Sequence, residues 1–83
     1  MKRTKPPQKV PVTARALIQR INRALKPRDE MLKKARGARA QAEVGDYFVT
    51  DFRLNALVSS RVDIEALGRE LKVLKDFEEV TEH

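Results

Sequence analysis

The sequence predicts an α+β domain with two N-terminal helices, one antiparallel β-hairpin and a C-terminal helix packed on the hairpin. Two stretches, residues 14–26 and 64–74, repeat apolar side chains at helical spacing. Between them, GDYFVTD at 45–51 and NALVSSRV at 55–62 alternate apolar or β-branched residues with polar ones on either side of a turn around Arg53 and Asn55. A further stretch, PRDEMLKKAR at 27–36, places acids first and cations last, as the partial charges at helix ends favour.

Residues 1–12 hold four cations, Lys2, Arg3, Lys5 and Lys9, with Pro6, Pro7 and Pro11 and little that is apolar, so they read as a basic arm outside the core. Such an arm either follows a phosphate backbone or only solubilises the terminus. Thr13 then caps a first helix, on which Ala14, Leu17, Ile18, Ile21 and Leu25 fall together as the core stripe. Arg15, Gln19, Asn22 and Lys26 lie opposite, flanked by Arg20 and Arg23. No acid occurs along this helix, whereas an ordinary solvated helix mixes signs at four-residue spacing. Its outer face is a cationic ridge with two amides, suited to phosphate oxygens and to base edges.

Lys26-Pro27 breaks that helix, since the residue before proline is pushed from helical geometry. Pro27 opens the second helix and Gly37 stops it. Helix, turn and helix invite comparison with a helix-turn-helix, but the second helix is short. Its cations Lys33, Lys34 and Arg36, with Arg39 beyond, come late, whereas a recognition helix reads bases from its N-terminal residues. Residues 38–44 read as a connector with room for a helical turn.

In the hairpin, Tyr47 and Val49 share one face, Phe48 and Thr50 the other. Ala56, Val58, Ser60 and Val62 likewise oppose Leu57, Ser59 and Arg61. Both faces carry apolar residues, so the hairpin is either covered on both sides or meets another subunit. Phe52 and Leu54 are apolar for a turn; core packing beneath the turn accounts for them, with a partner anchor as the alternative. Asp63 caps the last helix, with Ile64, Leu67, Leu71 and Leu74 on its stripe and Val62 and Leu67 placed for a hydrophobic staple. Glu65 and Arg69 pair at four-residue spacing. Gly68, on the stripe, implies close approach of a backbone or of a ring such as Tyr47 or Phe48. Phe77 ends the core, giving an arm at 1–12, a domain at 13–77 and a frayed acidic tail at 78–83.

With 83 residues the chain is one domain whose single core yields roughly 3 to 5 kcal/mol. It lacks cysteine, which removes disulfides and thiolate metal sites and fits a cytoplasmic setting, and no run is long and apolar enough for a membrane span. The net charge of +6 is unevenly divided. Residues 1–42 hold 13 cations and 2 acids, a balance of +11; residues 43–83 hold 5 and 10, a balance of −5. That asymmetry points the first half at a polyanion.

Catalytic, metal and cofactor readings find no support. The only histidine is the terminal His83, Ser59 and Ser60 lack a base, and Gly37, Gly45 and Gly68 are too scattered for a phosphate loop. Asp46, Asp51 and Asp63 bracket the hairpin, where strand ends and a helix cap already explain them.

ALIQRINRAL at 16–25, KKARGARA at 33–40, GDYFVTD at 45–51 and VDIEALGRELKVL at 62–74 resemble a pattern in small uncharacterised bacterial, mainly proteobacterial, proteins. The resemblance implies a helix, hairpin, helix unit in a bacterial cytoplasm and carries no catalytic residue across. If such proteins travel on mobile elements, it extends to an accessory or anti-defence role.

The expected function is non-catalytic binding to the DNA or RNA phosphate backbone through Lys2, Arg3, Lys5, Lys9, Arg15, Arg20, Arg23, Lys26, Lys33, Lys34, Arg36 and Arg39. Stacking is minor in this reading, because Tyr47, Phe48, Phe52 and Phe77 lie outside the basic half. The alternatives are a protein-interaction module or inhibitor using Phe52, Leu54, Glu65 and Glu70, and a homodimer through the hairpin edge. No membrane, small-molecule substrate or cofactor is expected.

Overall fold

The computed structural model describes residues 9–81. The chain runs β1 (Val10–Thr13), α1 (Ala14–Leu25), a 3-10 turn (Lys26–Arg28), β2 (Glu30–Lys34), α2 (Ala38–Val44), β3 (Tyr47–Asp51), β4 (Ala56–Ser59), α3 (Ile64–Glu70) and β5 (Glu78–Thr81). The α+β class stands, but a three-stranded antiparallel sheet of order β2-β3-β4 and a parallel pair β1-β5 replace the lone hairpin.

Thr13 caps α1 as expected, its hydroxyl accepting from Ala16 N at 3.1 Å, and Leu17, Ile21 and Leu25 are buried. The expected second helix is not formed. After the 3-10 turn, Asp29 takes a left-handed conformation (φ 61°), and the chain enters β2, paired with β3 from Glu30 opposite Asp51 to Lys34 opposite Tyr47. The buried residues here, Leu32 and Ala35, stand three apart and imitate helical spacing. Pairing with a strand far along the chain overrides that local pattern. Gly37 (φ 86°) therefore precedes a helix rather than ending one, and the connector at 38–44 is α2, which buries no residue.

The ends are also corrected. Residues 10–12, expected in the arm, and 78–81, expected in a frayed tail, lie in β1 and β5, which pair in parallel with Val12 opposite Val80. Neither carries strong strand alternation, and Pro11 is accommodated because β1 pairs on one side only. Lys2, Arg3, Lys5 and His83 lie outside the described residues.

One core joins Val12 of β1, Leu17, Ile21 and Leu25 of α1, Leu32 of β2, Val49 of β3, Ile64 of α3 and Leu74, with Tyr47, Val62 and Leu67 partly buried against it. The β3-β4 hairpin forms, with an irregularity: Val49 opposes Ser59 and Thr50 opposes Leu57, so Val58 is extra and the expected alternation through Val62 is broken. The Leu32 and Val49 face is covered. Met31 and Leu57, on the other face with Thr50, are 39% and 54% exposed.

Asp63 caps α3, accepting from Glu65 N and Ala66 N at 3.0 and 3.3 Å. The helix stops at Glu70, short of the expected Leu74, and Lys72 turns left-handed (φ 63°) so that Leu74 still reaches the core. A Cβ on Gly68 would stand 2.8 Å from Leu17 Cδ1, so α1, not an aromatic ring, demands the glycine. Phe77, expected in the core, is 49% exposed. Phe52 and Leu54 are 48% and 76% exposed, so core packing does not account for them.

Candidate nucleic-acid interface

At about 100° per residue, α1 presents four kinds of surface. Its inner face is the core stripe. Asn22 and Arg20 lie on the two flanks, and both are engaged in holding the helix. Asn22 Oδ1 accepts from Leu32 N at 2.7 Å, and its Nδ2 donates to Leu32 O at 3.4 Å. A side-chain amide thus occupies the main-chain groups that the free side of β2 would otherwise offer. Arg20 Nη1 donates to Glu78 Oε1 at 2.9 Å and to Val73 O at 3.0 Å. Glu78 Oε1 also accepts from Lys75 N at 2.9 Å. The Arg20 hydrogen bond, with that from Lys75 N, holds the Glu78 carboxyl below its ordinary value against the opposing effect of burial.

Outward remain Arg15, Gln19, Arg23 and Lys26, all exposed. Arg15 and Lys26 are eleven residues apart, about 16 Å along the helix axis. Elsewhere Lys9 Nζ donates to Asp76 O at 2.7 Å. Lys33 and Lys34 are successive strand residues and so open on opposite faces of the sheet, Lys33 opposite Phe48 and Lys34 opposite Tyr47. Arg36 follows β2 and Arg39 lies in α2, both exposed. Of the nine candidate cations among the described residues, only Arg20 has a carboxylate of another described residue within 4.0 Å.

Arg28, not singled out from the sequence, joins the exposed cations beyond Lys26. The carboxylate of its neighbour Asp29 pairs instead with Arg53 at 3.4 Å.

At the C-terminal end of α1, Asn22, Lys26, Glu30, Met31 and Phe52 line an open groove of about 490 Å³. Main-chain bonds fix Phe52 there. Its N donates to Asp29 O at 3.0 Å, and Asp51 Oδ1 accepts from Arg53 N and Leu54 N at 2.9 and 3.0 Å, closing the turn ahead of left-handed Asn55 (φ 56°). An aromatic from the acidic half therefore stands beside a cation of the basic half, which linear charge counting does not reveal.

A wider cleft of about 680 Å³ lies between Tyr47 and α3, with Lys34, Arg61, Asp46, Asp63 and Glu65 on its walls. Its charges are mixed and partly committed: Arg61 Nη2 donates to Ala42 O at 2.8 Å and Asp63 caps α3. Of the acidic residues assigned to a protein partner, Glu65 pairs with Arg69 at 3.0 Å and Glu70 is exposed. No helix among the described residues is long and apolar enough to cross a membrane. Compared with known proteins, the chain matches no family model, no curated protein and no solved structure, so its likeness to small bacterial proteins rests on the quoted sequence pattern alone.

Proposed function

We propose that this chain is a non-catalytic accessory protein of the cytoplasm that binds the phosphate backbone of nucleic acid through its basic N-terminal half. The observation that carries the reading is the uncovered ridge of α1: Arg15, Arg23 and Lys26 are exposed, and no ion pair among the described residues neutralises them. Arg20 belongs to the fold, and Arg28, Lys33, Arg36 and Arg39 are further exposed cations of the same half. Contacts of this kind position a strand without reading its sequence.

The test is a salt titration of binding to short DNA and RNA. Each phosphate contact contributes about 0.7 to 0.9 to the slope of log K against log salt. Changing Arg15, Arg23 and Lys26 together to Gln, with Arg20 kept, is expected to flatten that slope by about 2 to 3. An unchanged slope, or no binding by the unaltered chain at low salt, overturns the reading.

A second reading has its own observation. The outer edge of β4 pairs with no strand among the described residues, all four β4 residues are exposed, and Leu54, Leu57 and Val58 stand nearby with 76%, 54% and 48% exposure. Self-pairing at that edge predicts a mass above the monomer in light scattering, lost on changing Leu57 to Lys.

A further inference from the structure

We infer that the groove at the end of α1 receives one unstacked base, so that the nucleic acid bound is single-stranded. The inference rests on the phosphate-binding reading of the same ridge and adds to it a class of ligand. Lys26 belongs both to the ridge and to the groove wall, so a strand held along Arg15, Arg23 and Lys26 passes the groove mouth. Met31 and Phe52 supply its apolar lining, and Phe52, half exposed and held by its own main chain, offers a ring face at little ordering cost. Base on aromatic ring is the contact that lets a protein grip single strands whatever their sequence.

Two features orient the ligand. Glu30 shares the groove wall with Lys26, and its carboxylate repels phosphate, which keeps the backbone at the Lys26 side and the base inward. That carboxylate also accepts from a base N–H. The Asn22 amide is already bonded to both main-chain groups of Leu32 and reads nothing. In a duplex the bases remain stacked and paired, and none reaches the groove without being flipped out. A protein partner fits less well: specific protein interfaces take roughly 800 Å² from each side, whereas the groove offers two apolar side chains between charged walls, matched to one planar ring beside one phosphate.

The test measures fluorescence anisotropy with the full chain on three labelled probes: a thymidine oligomer of about 12 nucleotides, within the site sizes typical of such proteins, its abasic analogue, and a duplex of equal length. Phe52→Ala is expected to weaken binding to the thymidine oligomer about tenfold, with the salt slope and the abasic and duplex affinities unchanged; Phe52→Tyr, which keeps the ring, retains binding. Circular dichroism confirms that each variant is folded. Equal binding by Phe52→Ala and the unaltered chain, with a steep salt slope retained, overturns the stacking site and leaves the phosphate reading intact. Equal losses on the thymidine and abasic strands, or a loss that tracks dissociation of a dimer in light scattering, also overturn it. Absence of salt-dependent binding to every probe overturns both readings.

Discussion

Asn22 separates a structural from a ligand-binding account of α1, and its substitution by Ala has a magnitude that the structure supplies. The 2.7 Å bond from Leu32 N to Asn22 Oδ1 is the strong member of the pair; the 3.4 Å contact from Nδ2 to Leu32 O is near the limit of a hydrogen bond. Losing the first forfeits about 1 kcal/mol net, rising to about 3 where the orphaned donor is shut away from water. Leu32 N lies on the free side of β2, where water can replace part of the loss. Ala also exceeds Asn in helix propensity by up to about 0.7 kcal/mol. Asn22→Ala should therefore destabilise the fold by about 1 kcal/mol, lowering the melting temperature by about 4 to 8 °C for a chain of this size. Asn22→Asp keeps the stronger acceptor but sets a carboxylate oxygen against Leu32 O where the weaker donor stood, so it should recover only part of the loss. The assay is thermal and urea unfolding of both variants, paired with the salt titration of nucleic-acid binding. Unfolding unchanged by Asn22→Ala, together with weakened binding, would refute the reasoning and return this amide to the ligand surface.

Two further outcomes follow from packing and charge. Because Arg20 and Lys75 N hold the folded Glu78 carboxyl below its ordinary value, its contribution to stability is present at neutral pH and is lost as pH falls through that lowered value; urea midpoints should decline on acidification, and Glu78→Gln should flatten the decline. Gly37 and Gly45 both have positive φ, 86° and 81°, but a Cβ at Gly37 meets nothing within 4 Å while one at Gly45 would stand 2.7 Å from Arg61 Cα. Gly37→Ala should cost about 1 to 3 kcal/mol from backbone strain alone and Gly45→Ala distinctly more, read as the difference between their melting temperatures; equal losses would show that the Arg61 contact is soft.

The parts of the fold legible in the sequence are those whose cause is local. Thr13 and Asp63 announce α1 and α3 because a cap needs one side chain and the amides two or three residues on, and the hairpin is visible because strand alternation and a polar turn sit within fifteen residues of each other. What escapes detection depends on distant partners. β2 becomes a strand because β3 offers it a ladder, although its acids and cations are ordered as a helix prefers. β1 and β5 are recognisable only as a pair, with partners such as Val10 and Glu78 separated by nearly the whole chain, and neither has the composition to declare itself alone. Gly68 signals a close approach correctly; which side chain makes it, Leu17, is a matter of tertiary packing.

The candidate site has the same division. Segregation of charge along the chain is a one-dimensional fact, and the fold decides which cations it leaves for a ligand. Arg15 and Arg20 are equivalent by composition, but on the α1 wheel Arg20 is turned toward β5, where Glu78 is buried and needs a counter-charge, and Arg15 is not. Lys33 and Lys34, adjacent in sequence, are parted by the pleat of the sheet. The same folding adds what the charge count omits, since the turn after β3 carries Phe52 back to Lys26. A ridge shortened to Arg15, Arg23 and Lys26 and ending at an aromatic groove differs in kind from an unstructured basic patch. It predicts that affinity divides into an electrostatic part that salt removes and a stacking part that salt leaves, so that a mutation at Lys26 flattens the salt titration whereas one at Phe52 lowers affinity at an unchanged slope.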